Sequence, residues 1–161
     1  MNRDLADEGL AAPRGRNTRQ EVAALQAALA AEQAATYGFG IVGAHLTGAA
    51  FTAASADAVA HERARDSLTA MIAVRGAQPH PAAAVYRMPL QVHTPAQAKS
   101  LAVLLERQVA AAYVGAVALS EPALRKFGAY HMREAAVRSA RWGGRPQAFP
   151  GLPPSSLRRH G

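Results

Sequence analysis

Residues 22–46 read VAALQAALAAEQAATYGFGIVGAHL, and a single acidic side chain, Glu32, stands among them. Alanine is the strongest helix former and the run contains no proline, so it predicts one long helix. Glu32 shares a stripe with Leu25, Leu29, Thr36 and Phe39, the stripe expected to face a core. A carboxylate carried into a core needs a partner, so the partners of Glu32 are to be sought on other helices.

Punctuation on either side of this run supplies those helices. Thr18 and Glu21 have capping-box spacing and predict that the first helix opens at Thr18 and runs to about residue 46. A turn over residues 48–51 is expected next, then a second helix from about Thr52 to Arg75, with Leu68, Met71, Ile72 and Arg75 on one face and Gly76 to end it. Residues 77–93 hold Pro79, Pro81 and Pro89 and are too long for a tight turn, which predicts a crossover along the bundle. Thr94, Pro95 and Gln97 open a third helix that continues to about Leu119. Ser120 is expected to cap a fourth, with Glu121 and Pro122 in its first turn and Gly143 and Gly144 stopping it after Trp142. Two short connections flanking a long one predict an all-α, antiparallel four-helix bundle of ferritin-like connectivity, with the long crossover between helices 2 and 3. The expected organisation is an N-terminal tail over residues 1–17, the bundle over 18–142, and a Pro/Arg-rich tail over 143–161, which Trp142 and Phe149 fold against the bundle.

The bulk properties agree with a single domain. The chain has 161 residues, about a quarter of them alanine, and no cysteine. Disulfides, thiol nucleophiles and cysteine-ligated metals are therefore excluded. Net charge is +7, carried almost wholly by arginine, since Lys99 and Lys126 are the only lysines. The arginines gather at the two ends, but no aromatic platform is interleaved with them, which argues against a nucleic-acid partner. Residues 1–17 carry no apolar core of the kind a secretory signal needs, and no transmembrane segment is expected; the helix from Val22 comes nearest to one. A cytoplasmic location is the expectation that follows.

Mid-height positions on the other predicted helices hold Glu62, Glu106 and Glu134. Glu106 shares a stripe with Ala102, Val109, Tyr113 and Val117, and Glu134 shares one with Leu124, Phe127, His131 and Arg138. The pattern predicts a core carboxylate layer of Glu32, Glu62, Glu106 and Glu134, with Arg65, His131 and Arg138 as its candidate partners. It resembles the ferritin-like di-iron carboxylate proteins, in which two helices each give one Glu and two give Glu-x-x-His. The segments AALAAEQAATYGFG, AHERAR, LLERQVAAAYVGA and HMREAAVRSARWGG look closest to an alanine-rich bacterial domain of unknown function in the ferritin-like superfamily. That resemblance implies a fold and no reaction.

Carried over residue by residue, the resemblance puts the single-Glu positions on Glu32 and Glu106 and the Glu-x-x-His positions on Glu62 and Glu134. Arg65 and Val137 stand where the histidines belong, and arginine cannot deprotonate to bind a metal. His131 is on the face of Glu134 as a replacement ligand, while His61 lies about 100° round the helix from Glu62. The expectation is therefore a degenerate site without a cofactor, in a non-catalytic scaffold or self-associating protein, a homodimer. The alternative is a di-iron or di-manganese oxidase or hydroxylase with the metals on Glu32, Glu62, Glu106, Glu134 and His131.

Two further motifs are set aside on physical grounds. Gly38-x-Gly40-x-x-Gly43 spells a dinucleotide fingerprint, but that motif works only between a strand and a helix. Its glycines are expected to let the first helix approach a neighbour. His61-Glu62 begins a zinc-peptidase pattern whose second histidine is replaced by Arg65, so the ligand pair is incomplete.

Overall fold

Alanine-rich runs bounded by caps and glycines make this an all-helical chain. The computed structural model describes residues 8–147, and no strand occurs among them. In order, the elements are α1 (Glu8–Ala44), α2 (Gly48–Val74), α3 (Pro95–Ala112), the single turn α4 (Val114–Val117) and α5 (Pro122–Arg141). Four long helices thus carry the fold. α1 packs on α2, α3 and α4, and α5 packs on α3 and α4.

The start of α3 follows its sequence signal closely. Thr94 accepts from the Gln97 amide at 3.2 Å, Pro95 takes the first helical position, and Gln97 Oε1 accepts from the His93 amide at 2.9 Å. Both partners of the capping pair therefore satisfy a backbone donor. Gly76 and Gly143 take φ of +72° and +96° just beyond α2 and α5, the left-handed conformation that ends a helix.

Other boundaries differ from those the sequence predicts. α1 is already helical at Glu8, so Thr18 lies inside it and Glu21 accepts from Arg75 Nε at 2.8 Å instead of completing a cap. Pro13 falls in the second turn, where it forfeits one backbone bond and not a series of them. α2 starts at Gly48, not Thr52, because Gly48 at φ +58° reverses the chain at once. α5 is capped by Glu121, not Ser120: its carboxylate accepts from the amides of Ala123 and Leu124 at 3.0 and 2.6 Å. Those two bonds hold its pKa below the usual range, and a carboxylate suits the positive end of a helix better than a hydroxyl. α3 ends at Ala112, short of the expected Leu119, and resumes as α4 beyond Tyr113.

The non-helical stretch between α2 and α3 is held by glutamines of α1. Gln26 donates to the Gln78 carbonyl at 2.7 Å and accepts from the His80 amide at 3.0 Å, while Gln33 donates to the His80 carbonyl at 2.9 Å. Side chains thus stand in for the ladder this segment lacks.

Two apolar clusters fill the interior. Leu25, Leu29, Leu68, Ile72 and Tyr113 centre one, and Phe39, Val42, Leu46, Leu101 and Leu105 the other. Along α2 and α3 the buried His61 and Glu106 fall between the two clusters, and the buried Glu32 of α1 meets His61 there. The stretch Pro95–Val117, and not the helix from Val22, is long and apolar enough to cross a membrane by length and composition. In this fold it is a packed helix, lying against α1 and α5 and carrying Glu106.

Close approach of α4 and α5 depends on Gly128, where a Cβ would stand 2.8 Å from that of Ala116 and 3.1 Å from the Val117 nitrogen. Gly40, inside α1, faces open space. Helix propensity alone favours alanine over glycine at both positions by about 1 kcal/mol. Packing reverses this at Gly128, since neither obstacle is a flexible chain end. Gly128→Ala should therefore lower stability by about 1–3 kcal/mol in urea unfolding, while Gly40→Ala should raise it by up to about 1 kcal/mol.

Candidate functional site

The buried stripe of α2 is Ala54, Asp57, His61, Ala64, Leu68 and Ile72, a heptad-like series. It brings His61, not Glu62, into the core. The His61 ring lies between two carboxylates of other helices: Nδ1 is 2.6 Å from Glu32 Oε2 and Nε2 is 3.2 Å from Glu106 Oε1. Arg138 of α5 donates through Nε to the same Glu106 oxygen at 2.7 Å, and the Tyr113 hydroxyl donates to Glu32 Oε1 at 2.7 Å. Glu32, His61, Glu106 and Tyr113 are 0% exposed and Arg138 8%, so four helices meet in one polar layer sealed from water.

Burial by itself would drive the imidazole neutral. The hydrogen bonds to Glu106 and Glu32, with the charges of both, overcome it and raise His61 from 6.5 to about 9. At neutral pH His61 is therefore an imidazolium that donates from both nitrogens. Arg138 is also held above its ordinary value, the pull of Glu106 outweighing burial. Two carboxylates and two cations balance, the condition under which charges tolerate burial. Burial, with the neighbouring Glu32 charge, raises the Tyr113 hydroxyl, which stays protonated as a donor.

Four of the sequence-predicted site residues lie elsewhere. Glu62 is exposed, one residue off the buried stripe of α2. Glu134 is half-buried and pairs with Arg133 at 2.9 Å. Arg65 pairs with its neighbour Asp66 at 2.9 Å, away from the carboxylates. His131 stacks on Tyr113, with ring centroids 5.1 Å apart, and touches neither glutamate; burial lowers its pKa. The structure thus brings together Glu32, Glu106 and Arg138 of the residues picked out from sequence and adds His61 and Tyr113. Stepping back from Leu68 by seven residues would have found His61, and Tyr113 was already on the Glu106 stripe.

A second polar contact ties α2 to the end of α5. Asp57, 4% exposed, accepts from Arg141 Nη2 at 2.9 Å and from Trp142 Nε1 at 2.8 Å. Trp142 also rests near Phe39 and anchors the end of α5; Phe149, with which the sequence predicts that it folds the C-terminal tail against the bundle, lies outside the described residues. Gly38 sits within α1 with Leu105 and Met88 against it, and the backbone around it is helical, so no phosphate cradle exists there. Among the described residues no group of three or more His, Asp or Glu side chains is disposed to hold a metal ion.

The network has consequences for stability. His61→Ala leaves two buried carboxylates with Arg138 as their sole cation and should destabilise the fold by roughly 3–5 kcal/mol in denaturant unfolding. The raised pKa of His61 means that the folded chain keeps a proton that the unfolded chain has released. Its contribution is complete below about pH 6.5 and lost as pH rises through about 9. Stability should accordingly fall by about 3 kcal/mol across that window, read as a declining urea midpoint, and His61→Gln should flatten the decline.

A family model described as Domain of unknown function (DUF4439) matches residues 24–154. The crystal structure of a conserved hypothetical protein from Mycobacterium tuberculosis is similar at a TM-score of 0.75 and 34% sequence identity, over 78% of this chain and 96% of that one. No curated protein matches.

Proposed function

The chain belongs to this family of domains of unknown function, and on that premise we propose that it is a non-catalytic, ferritin-like helical bundle, a scaffold that self-associates as a homodimer in the cytoplasm. The observation that carries this reading is the His61 ring, whose two nitrogens are each hydrogen-bonded to a different buried carboxylate.

Antiparallel packing with one crossover is supported by the pairing of positions. Glu21 meets Arg75, Glu32 meets His61, and Gly43 faces Phe51, so α1 and α2 match in opposite directions. Glu106 meets Arg138 and Ala116 meets Gly128, the same reversal between the α3–α4 segment and α5. The one long non-helical connection lies between α2 and α3, as ferritin-like connectivity requires.

The donor set does not fit a di-iron or di-manganese centre. An imidazolium is hydrogen-bonded to both Glu32 and Glu106, the carboxylates that would have to hold the metals, and a guanidinium also donates to Glu106 Oε1. Glu62 and Glu134, the other two ligands such a centre needs, are outside the layer. Organic cations neutralise these carboxylates, and the sealed layer offers a substrate no access.

Anaerobic loading with ferrous iron, followed by metal analysis, tests the reading. Clearly less than one ion per chain is expected, and two per chain would overturn it. Light scattering tests the scaffold role separately: a dimer is expected, and a strict monomer at every concentration removes self-association.

A further inference from the structure

Two adjoining hollows open on the face made by α3 and α5, outside the sealed network. The larger is a groove with about 490 Å³ of free space, walled by Ala110, Val117, Met132, Ala136 and Val137. Val137 is 50% exposed there, an apolar side chain left to water. The smaller, about 360 Å³, lies at the close of α5 against Lys99, Val103, Leu104 and Trp142. Arg107 and Arg145 line both, so the two make one trough with a pair of arginines at the junction.

The helix stop after α5 is what brings Arg145 there. The Gly143 amide donates to the Ala140 carbonyl at 3.0 Å and the Gly144 amide to the Ser139 carbonyl at 2.8 Å, with Gly143 at φ +96°. This paired closure turns the chain back at the end of the helix, and Arg145 joins Arg107 of α3. Lys99, Val103 and Arg107 follow at i, i+4 and i+8 along one face of α3.

Exposed charge in the trough is of one sign. Among the described residues Lys99, Arg107 and Arg145 stand in no ion pair, while Arg133, at the edge of the groove, pairs with Glu134. The only acidic residue among the described lining is Glu106, which is 0% exposed and bonded to His61 and Arg138. A concave surface of one sign beside an apolar wall concentrates its field and gathers counter-ions. Guanidinium groups match the two oxygens of a carboxylate. Away from this cationic end the apolar wall runs along α5 from Ala140 to Ala129, about 16 Å at 1.5 Å per residue.

We infer that the trough binds a long-chain carboxylate, its head at Lys99, Arg107 and Arg145 and its chain along the alanine and valine walls. The two parts discriminate independently. A small carboxylate finds the cations but leaves the walls wet, whereas an ammonium amphiphile finds the walls but meets three like charges. Binding here asks nothing of the sealed layer and holds equally for a monomer or a dimer.

Trp142, the only tryptophan of the chain, lines the smaller hollow and reports occupancy by its fluorescence. Dodecanoate is titrated into the full chain below its micellar concentration, with acetate and dodecylammonium as comparators. A saturable change is expected with dodecanoate, and both comparators should bind more weakly by about tenfold or more, 1.4 kcal/mol in affinity. Arg145→Gln, exposed beyond α5, and Val137→Glu, half-exposed in the groove, should each weaken dodecanoate by about fivefold or more, with the His61 ring signals in NMR unchanged as the check on folding. Arg63→Gln removes the same charge from an exposed position on α2 and should leave binding as it was. Dodecylammonium binding as tightly as dodecanoate overturns the inference, as does an equal loss in Arg63→Gln and Arg145→Gln. So does the absence of saturable binding, whether water or the chain's own residues beyond Gln147 fill the trough. A Trp142 signal that changes with protein concentration alone also overturns it, by giving the trough to a second copy of the chain.

Discussion

An imidazolium held between two buried carboxylates is the constraint on which the rest of the bundle depends. Glu32 from α1 and Glu106 from α3 could not both ionise in a sealed interior unless cations met them there. His61 brings α2 into that layer and Arg138 brings α5, so four helices are joined at one height by hydrogen bonds of 2.6 to 3.2 Å. The faces around this layer carry buried alanines such as Ala28, Ala35, Ala64, Ala102 and Ala110 beside larger apolar side chains. A shift of one turn, about 5.4 Å, would break every bond of the network. Charge thus adds to side-chain packing in fixing the register of the helices.

The remaining polar contacts act at the ends of the same arrangement. Arg75 and Glu21 fasten the end of α2 to the early part of α1, and Asp57 fastens the first half of α2 to Arg141 and Trp142 at the close of α5. Gln26 and Gln33 hold the crossover against α1, which lets a proline-broken segment lie along the bundle with its backbone groups paired. The exposed or half-exposed pairs Arg65–Asp66 and Arg133–Glu134 are different in kind. Each joins sequence neighbours on one helix, in water, and contributes little to how helices are placed.

How much of this the sequence discloses depends on phase along each helix. Glu32 and Glu106 were legible because each interrupts a run of alanine, leucine and valine on a clear apolar stripe, and Arg138 was legible from its spacing with Leu124 and His131. His61 was hidden by its neighbour. A match to Glu-x-x-His draws attention to Glu62, yet one residue is about 100° of rotation, and the Leu68–Ile72 stripe extended backwards arrives at Ala64, His61 and Asp57. Motif and periodicity disagreed by one position, and burial followed periodicity. The helix caps divide in the same way: Thr94, Pro95 and Gln97 agree with one another and are used, whereas Thr18 and Glu21 have the right spacing in a chain that was already helical, and Ser120 gave way to a carboxylate that accepts two amides.

A dication shared by carboxylates and a pair of organic cations solve the same electrostatic problem with different dependences. Metal ligation ties the core to metal supply and offers open coordination positions for chemistry. An imidazolium and a guanidinium are built into the chain, direct their protons along fixed lines, and leave no open position. The two cations are not equivalent, because Arg138 keeps its charge at every pH a protein meets, while His61 loses its own near pH 9. When that proton leaves, one nitrogen of the ring has nothing to donate and faces a carboxylate as a second acceptor. Attraction becomes repulsion at one bond of the layer, while the Arg138 and Tyr113 bonds keep their protons and go on holding Glu106 and Glu32.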